Sequence, residues 1–390
     1  MNRVLTMLMI ACLLLASGCG NKIDLPQEGD SGEIPFKNYF VYATWTNLGA
    51  ITDILVTRAQ WVYMAEDSAT VKRYRAKGGT GGDGTRFAEA RETLDGLERP
   101  VKLDEGSDDR IWVLDLTDGY PETRPEVRLY DLFQQSVTAA WSDTVWSFVD
   151  TLWREPGADS ANIRRQIRTV DLRALEADDD DQVFVAGRSF SFQEHQIIQY
   201  DTNFVENPTF PGQFDGLTPI GIDTLYEDST DTWFIRKYDE TGQFDFEAVG
   251  TGTGFGFGVD ISDFTVSEDF LGFIDADQDR VKFTDPDVEY GGFDAIDGTD
   301  AVEDGTPSQE LVLDPGGVAT DPSGFLYISD TGNGRILKYR PDLTFQTRVD
   351  QNAPGLAVAP TTIAATDTLV YVYDQAEEKL VLFEFPKLTD

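Results

Sequence analysis

The chain has 390 residues, with 70 acidic against 31 basic side chains, a net charge of −39 at neutral pH. Charge of that sign repels a phosphate backbone and excludes nucleic-acid binding. Aromatic residues make up 12% of the chain, too many for general disorder. The acidic excess is spread along the chain and reads as adaptation to high salt, with a calcium-rich binding surface as the other reading.

Residues 1–18 are laid out for export. Arg3 precedes an apolar run from Val4 to Leu15, and Ala16, Ser17 and Gly18 follow. The run is too short to stay in a bilayer as a spanning helix. Leu15-Ala16-Ser17-Gly18-Cys19 resembles the bacterial lipoprotein signal, although Ala16 sits where Leu is commonest. The resemblance implies cleavage before Cys19, acylation of Cys19 and attachment to a membrane. Cys12 lies in the discarded signal, so the mature chain would keep one cysteine, at its first residue. A lone cysteine in an exported chain calls for such an explanation. Gly20 is not the Asp that holds some bacterial lipoproteins at the inner membrane, which points to the outer membrane. Residues 19–37, with Pro26 and Pro35, read as a flexible tether, and 38–390 as the folded domain.

The domain is built from a repeat. In its clearest copy Val318 to Asp321 is an entry strand ending in a Pro-Ser-Gly turn, and Leu326 to Ser329 is a second strand. Gly332, Asn333 and Gly334 suit a tight hairpin, and Ile336 to Tyr339 is a third strand. Trp61 to Met64 leads to Val71 to Tyr74 with the same spacing. Ile111 to Asp115 leads to Val127 to Tyr130, and Val183 to Ala186 to Ile197 to Tyr200. Leu271 to Asp275 leads to Arg280 to Phe283, and Val370 to Asp374 to Leu380 to Phe383. A weaker seventh copy runs from Ile220 to Tyr226 and ends at Ile235 to Tyr238.

The unit at Gly317 to Tyr339 resembles the NHL repeat of β-propellers, as do Gly81-Gly82-Asp83-Gly84 before Phe87 and Gly212-Gln213-Phe214 before Pro219. The expected fold is all-β, a β-propeller of four-stranded blades. Entry strands near Ile54, Val101, Val170, Ile220, Phe264, Val318 and Ile363 predict seven blades, with an insertion from about Ser136 to Gln166. Six is the count commoner in the family. The last unit ends one strand short, and Tyr39 to Trp45 is a strand with no unit of its own. It can supply the missing outer strand and close the ring.

No catalytic set is assembled in the sequence. His195 is the one histidine, and it is expected in a solvent-facing turn before Ile197. Gly29-Asp30-Ser31-Gly32 matches the surroundings of a trypsin-like serine but falls in the tether, where no oxyanion hole can form. Asp275, Asp277 and Asp279 have calcium-loop spacing. Arg280 stands where the loop needs Gly, however, and Pro286 where it needs Glu, so they read as a hairpin with weak calcium binding left open. Asp178 to Asp181 read as a solvated loop. The glycine-rich stretches 78–84 and 250–258 lack the Lys of a phosphate loop. The leading expectation is a membrane-anchored binding or scaffold lipoprotein with a protein, peptide or glycan partner and no resident cofactor. The alternative implied by six-bladed relatives is a calcium-dependent hydrolase or lactonase working in the central channel.

Overall fold

Many of the repeat strands read as unbroken apolar runs rather than alternating ones, and their packing explains why. A strand in the middle of a blade is buried on both faces, so each face of the pleat needs apolar side chains. Val62 and Met64 pack with Trp45, Tyr371 and Leu382 on one side of their strand. Tyr63 and Ala65 pack with Leu103, Ile111 and Val113 on the other. Six such cores lie between neighbouring sheets, one at each seam.

A computed structural model describes residues 39–67, 70–80, 86–117, 124–141, 146–153, 160–178, 180–200, 219–250, 260–289, 294–299, 302–303, 306–307, 311–349 and 359–385. The signal peptide, Cys19, the tether and Gly29 to Gly32 lie outside these residues, as do the glycines at 81–84 and 251–258.

The described strands form six antiparallel blades. Blade 1 is Ile51–Val56, Trp61–Glu66, Thr70–Arg75 and Ala90–Leu94. Blade 2 is Pro100–Glu105, Arg110–Thr117, Arg124–Asp131 and Ser136–Trp141. Blade 3 is Ser160–Ala177, Val183–Tyr200, Pro219–Tyr238 and Phe244–Val249, with Trp146–Trp153 as a fifth strand beside the first. Blade 4 is Ile261–Val266, Leu271–Asp275, Arg280–Thr284 and Asp294–Ile296. Blade 5 is Pro315–Thr320, Leu326–Asp330, Arg335–Tyr339 and Phe345–Val349. Blade 6 is Pro360–Ala365, Leu369–Asp374 and Lys379–Glu384, and Phe40–Trp45 pairs antiparallel along the last of these, Trp45 opposite Leu380. The first strands of the six blades contact one another in cyclic order, so they surround a central channel.

The count of seven is corrected to six. The weak copy at 220–238 is a single strand, the third of blade 3. Val183 to Tyr200 is likewise one strand of 18 residues, so Ile197 to Tyr200 is not the next strand of its unit. The physical reason lies in residues 188–200, which contain no Gly or Pro to turn the chain. The strands therefore run on past the blade as a long ribbon. His195 sits inside this ribbon, with its backbone opposite Arg164 and Tyr226, and not in a turn. The expected insertion at 136–166 is also partly regular structure, since Ser136–Trp141 is the outer strand of blade 2.

A buried ion pair recurs from blade to blade. The residue opposite the start of the first strand is Glu66, Asp115, Asp275, Asp330 or Asp374, and each is wholly buried. A cation from the third strand meets it: Lys72 at 2.7 Å, Arg128 at 2.9 Å, Lys282 at 2.5 Å, Arg335 at 2.5 Å and Lys379 at 3.7 Å. In blades 2, 5 and 6 the carboxylate also accepts from an amide of the chain entering the blade: Arg99 at 2.6 Å, Leu313 at 2.9 Å and Ala359 at 3.3 Å. The acid thus ties the entering segment to the second and third strands. Blade 3 departs from the pattern with Gly187, where a Cβ would come within 2.6 Å of the Phe234 ring and 2.7 Å of the Asp171 carbonyl oxygen.

Candidate functional site: a charged central channel

Every first strand carries a shift in register, just after its first paired residue in five blades, for example between Ile51 and Asp53 and between Pro100 and Lys102, and between Leu172 and Ala174 in the long first strand of blade 3. Such bulges re-aim the side chains that follow. The equivalent position after the bulge holds Asp53, Lys102, Ala174, Asp263, Gly317 and Thr362 around the ring. Two residues on, the pleat returns to the same face with Leu55, Asp104, Glu176, Thr265, Ala319 and Ala364, all of which line a cavity of about 110 Å³. The channel is lopsided. Its charges come from blades 1 to 4, while blades 5 and 6 offer Val318, Ala319, Ile363, Ala364 and Ala365 with Thr320 as the polar exception.

Lys102 organises the first ring. Its ammonium lies 2.5 Å from Asp263 Oδ1 and 3.3 Å from Asp53 Oδ1, so it bridges blades 1, 2 and 4 across the channel. The second oxygens are also engaged. Leu103 N donates to Asp53 Oδ2 at 2.7 Å, and Val318 N donates to Asp263 Oδ2 at 3.2 Å. Burial alone would lower the Lys102 ammonium, but the Asp263 and Asp53 charges outweigh it and hold the group above its ordinary value. Burial raises Asp53, against the pull of Lys102.

The second ring has no such cation. Asp104 accepts from the amides of Ala177 and of Glu105, the latter at 2.7 Å. Burial nevertheless pushes its carboxyl up to about 7. Glu176 is raised well above the carboxylate range, first by burial and then by the Asp104 charge. Thr265 and Thr320 hydroxyls meet at 3.0 Å across the seam of blades 4 and 5.

The residues singled out from the sequence lie elsewhere. Asp275 is wholly buried and paired with Lys282 in the blade 4 ion pair. Asp277 is exposed in a short 3-10 turn, Ala276–Gln278. Asp279 Oδ1 accepts from Asp314 N at 2.9 Å. The three are not brought to one point, and no group of three or more His, Cys, Asp or Glu placed to hold a metal occurs among the described residues. The loop at 178–181 is tied to blade 2, where Ser107 N donates to Asp181 Oδ1 at 2.7 Å. The channel residues form no motif in the sequence, because Asp53, the pair Lys102 and Asp104, Glu176 and Asp263 come from four different blades. The signal was there, a charge in the middle of an otherwise apolar entry strand, as in Asp53 between Ile51 and Ile54.

Fold and site together define a six-bladed β-propeller with a charged channel. Residues 313–339, in blade 5, match the NHL repeat. No curated protein matches the chain. Among solved structures it is similar to virginiamycin B lyase from Staphylococcus aureus (9% identity, 87% of this chain and 96% of that one, TM-score 0.44). It is also similar to BamB from Moraxella catarrhalis (11%, 88% and 85%, TM-score 0.37). A third is the PQQ-bound aldose sugar dehydrogenase of Streptomyces coelicolor (11%, 88% and 96%, TM-score 0.46).

Proposed function

We propose that this chain is a membrane-anchored, extracytoplasmic binding or scaffold lipoprotein that presents the loop faces of its propeller to a protein, peptide or glycan. The observation that carries this reading is the state of the channel carboxylates. A calcium ion needs six to eight oxygen ligands that are free to turn toward it. Here Asp53 and Asp263 are spent on Lys102 and on backbone amides, and both Asp104 oxygens accept amides. That arrangement supports an internally paired, structural first ring over a metal-dependent hydrolase, and leaves the loop faces as the working surface. In this reading the pairing of Phe40–Trp45 with Lys379–Glu384 closes the ring. Presented with cell-envelope extract in about 2 M salt, the full chain is expected to retain a partner. Recovery of none would count against the role.

Anchoring rests on Cys19. The unmodified chain should take up labelled palmitate and sediment with membranes, and Cys19→Ser should do neither. Labelled Cys19→Ser would refute the site. The acidic surface is assigned to life in high salt. Melting should rise by several degrees between about 0.05 M and 2 M sodium chloride as self-repulsion is screened. An unchanged melting temperature would remove that interpretation.

A further inference from the structure

The ribbon that blade 3 extends past the propeller has two open edges, and the sequence treats them differently. Trp146–Trp153 stands at one end of the strand order and is paired on one side only, with Ser160–Ala177. On the other side, Phe244–Val249 pairs with Ile235 to Tyr238 alone, so the earlier part of Pro219–Tyr238 has no strand paired beyond it among the described residues. An open edge presents a row of backbone N–H and C=O groups to any incoming strand, and proteins guard such edges with charge. The second edge is guarded by Asp223, Glu227, Asp228 and Asp231. The first is not. Its eight residues, WSFVDTLW, are rich in β-formers, contain no Gly, Pro or Lys, and carry one charge, Asp150. That charge is answered inside the ribbon, where Asp150 is opposite Arg165. In a chain of net charge −39 this edge therefore has little to repel a second copy.

We propose that Trp146–Trp153 is an interface on which a second copy of this chain pairs, edge to edge and antiparallel, about a two-fold axis at Val149. The strand's own pattern selects the register. Pairing and alternation place Trp146, Phe148 and Leu152 on one face of the ribbon with Ile167 and Phe192, and Ser147 and Thr151 on the other with Arg168 and Ser191. A two-fold axis at Val149 sets Trp146 opposite Leu152, Ser147 opposite Thr151 and Phe148 opposite Asp150, so each face continues into the same face of the partner. A slip of one residue would join the unlike faces. A slip of two, centred on Asp150, would set two carboxylates against each other, and the opposite slip would shorten the pairing.

A strand that meets its own copy makes an isologous contact, which closes at two chains. Pairing with the acid-guarded edge would instead be head-to-tail and would leave an open edge at each end for further copies. The pattern of charge thus selects a dimer over a filament. The interface lies on the ribbon of blade 3 and does not depend on what the loop faces bind.

The test uses the full chain in detergent, in a Cys12→Ser, Cys19→Ser background that leaves no other thiol. Sedimentation in about 2 M sodium chloride should give the mass of two chains, and lowering the salt to about 0.05 M should weaken association roughly tenfold or more, because two acidic bodies then repel. Opposed residues have Cα atoms about 4.5–5.5 Å apart, within the span of a disulfide. Val149→Cys should therefore cross-link to its own copy under mild oxidation. Ser147→Cys and Thr151→Cys should cross-link when mixed and not when alone, since like residues then stand about 13 Å apart. Ser147→Lys with Thr151→Lys, which sets lysines opposite lysines, should sediment as a single chain with an unchanged melting temperature. A single chain in high salt without the lysines, species that grow beyond two chains, or cross-linking of Ser147→Cys alone as readily as of the mixture would overturn the proposal. The cross-linking pattern is read on separate variants, so it decides the matter even where the lysine variant fails to fold.

Discussion

Arg335→Met should destabilise the propeller by about 3–5 kcal/mol, the cost of leaving a buried charge without its partner. Asp330 is wholly buried and Arg335 is 1% exposed, so no water replaces the lost guanidinium. Asp330 would keep Leu313 N at 2.9 Å and the Asn333 amide, but these do not neutralise it. The pair joins the entry, second and third strands of blade 5, so the loss should loosen both seams of that blade. Adding Asp330→Asn should recover part of the stability, because the orphaned charge then goes too. Denaturant unfolding of the two variants in constant high salt checks this. A loss under about 1 kcal/mol for Arg335→Met would show that the repeated ion pairs do not hold the blades.

Lys102→Met should cost a similar amount, about 3–5 kcal/mol near pH 8, and much less near pH 5. The first ring would then hold Asp53 and Asp263 with no cation, above Asp104 and Glu176. The sign follows from protons. Burial already raises Asp53, Asp104 and Glu176, and the Lys102 charge opposes the rise at Asp53 and Glu176, so its loss raises those two further. A carboxyl raised in the folded state binds more protons folded than unfolded, so stability falls as pH rises from about 4 through the folded value. The unmodified chain should show this slope from Asp104 between about pH 4 and pH 7, and Asp104→Asn should flatten it. In Lys102→Met the slope should steepen and extend upward. Melting across pH at constant salt measures both. A Lys102→Met penalty that is the same at pH 5 and pH 8 would mean the ring is not electrostatically coupled.

Much of the fold was legible in the chain, because a blade's two middle strands are apolar on both faces. Trp61 to Met64, Ile111 to Leu114 and Leu326 to Ile328 stand out from their turns, and each is a second strand of a blade. The entry strands near Ile54, Val101, Phe264, Val318 and Ile363 were also in place. Blade 3 misled the count because its strands outrun the blade. A strand of 20 residues, Pro219–Tyr238, carries enough apolar pattern to imitate a unit of its own. The acid closing each second strand was visible as Asp115, Asp275, Asp330 and Asp374. In blade 4 its spacing with Asp277 and Asp279 imitated a calcium loop, whereas the carboxylate's task is to meet Lys282. The channel site was not legible. Lys102 and Asp263 are 161 residues apart, and only closure of the ring brings them to 2.5 Å.

The account turns on the first-ring carboxylates being spent on Lys102 and backbone amides rather than held for a metal. The most direct measurement is the melting temperature of the full chain in about 2 M sodium chloride, with calcium and with a chelator, for the unmodified chain and for Asp53→Asn. The account predicts the same melting temperature with calcium and with chelator. Stabilisation by calcium that survives the salt and disappears in Asp53→Asn would contradict it.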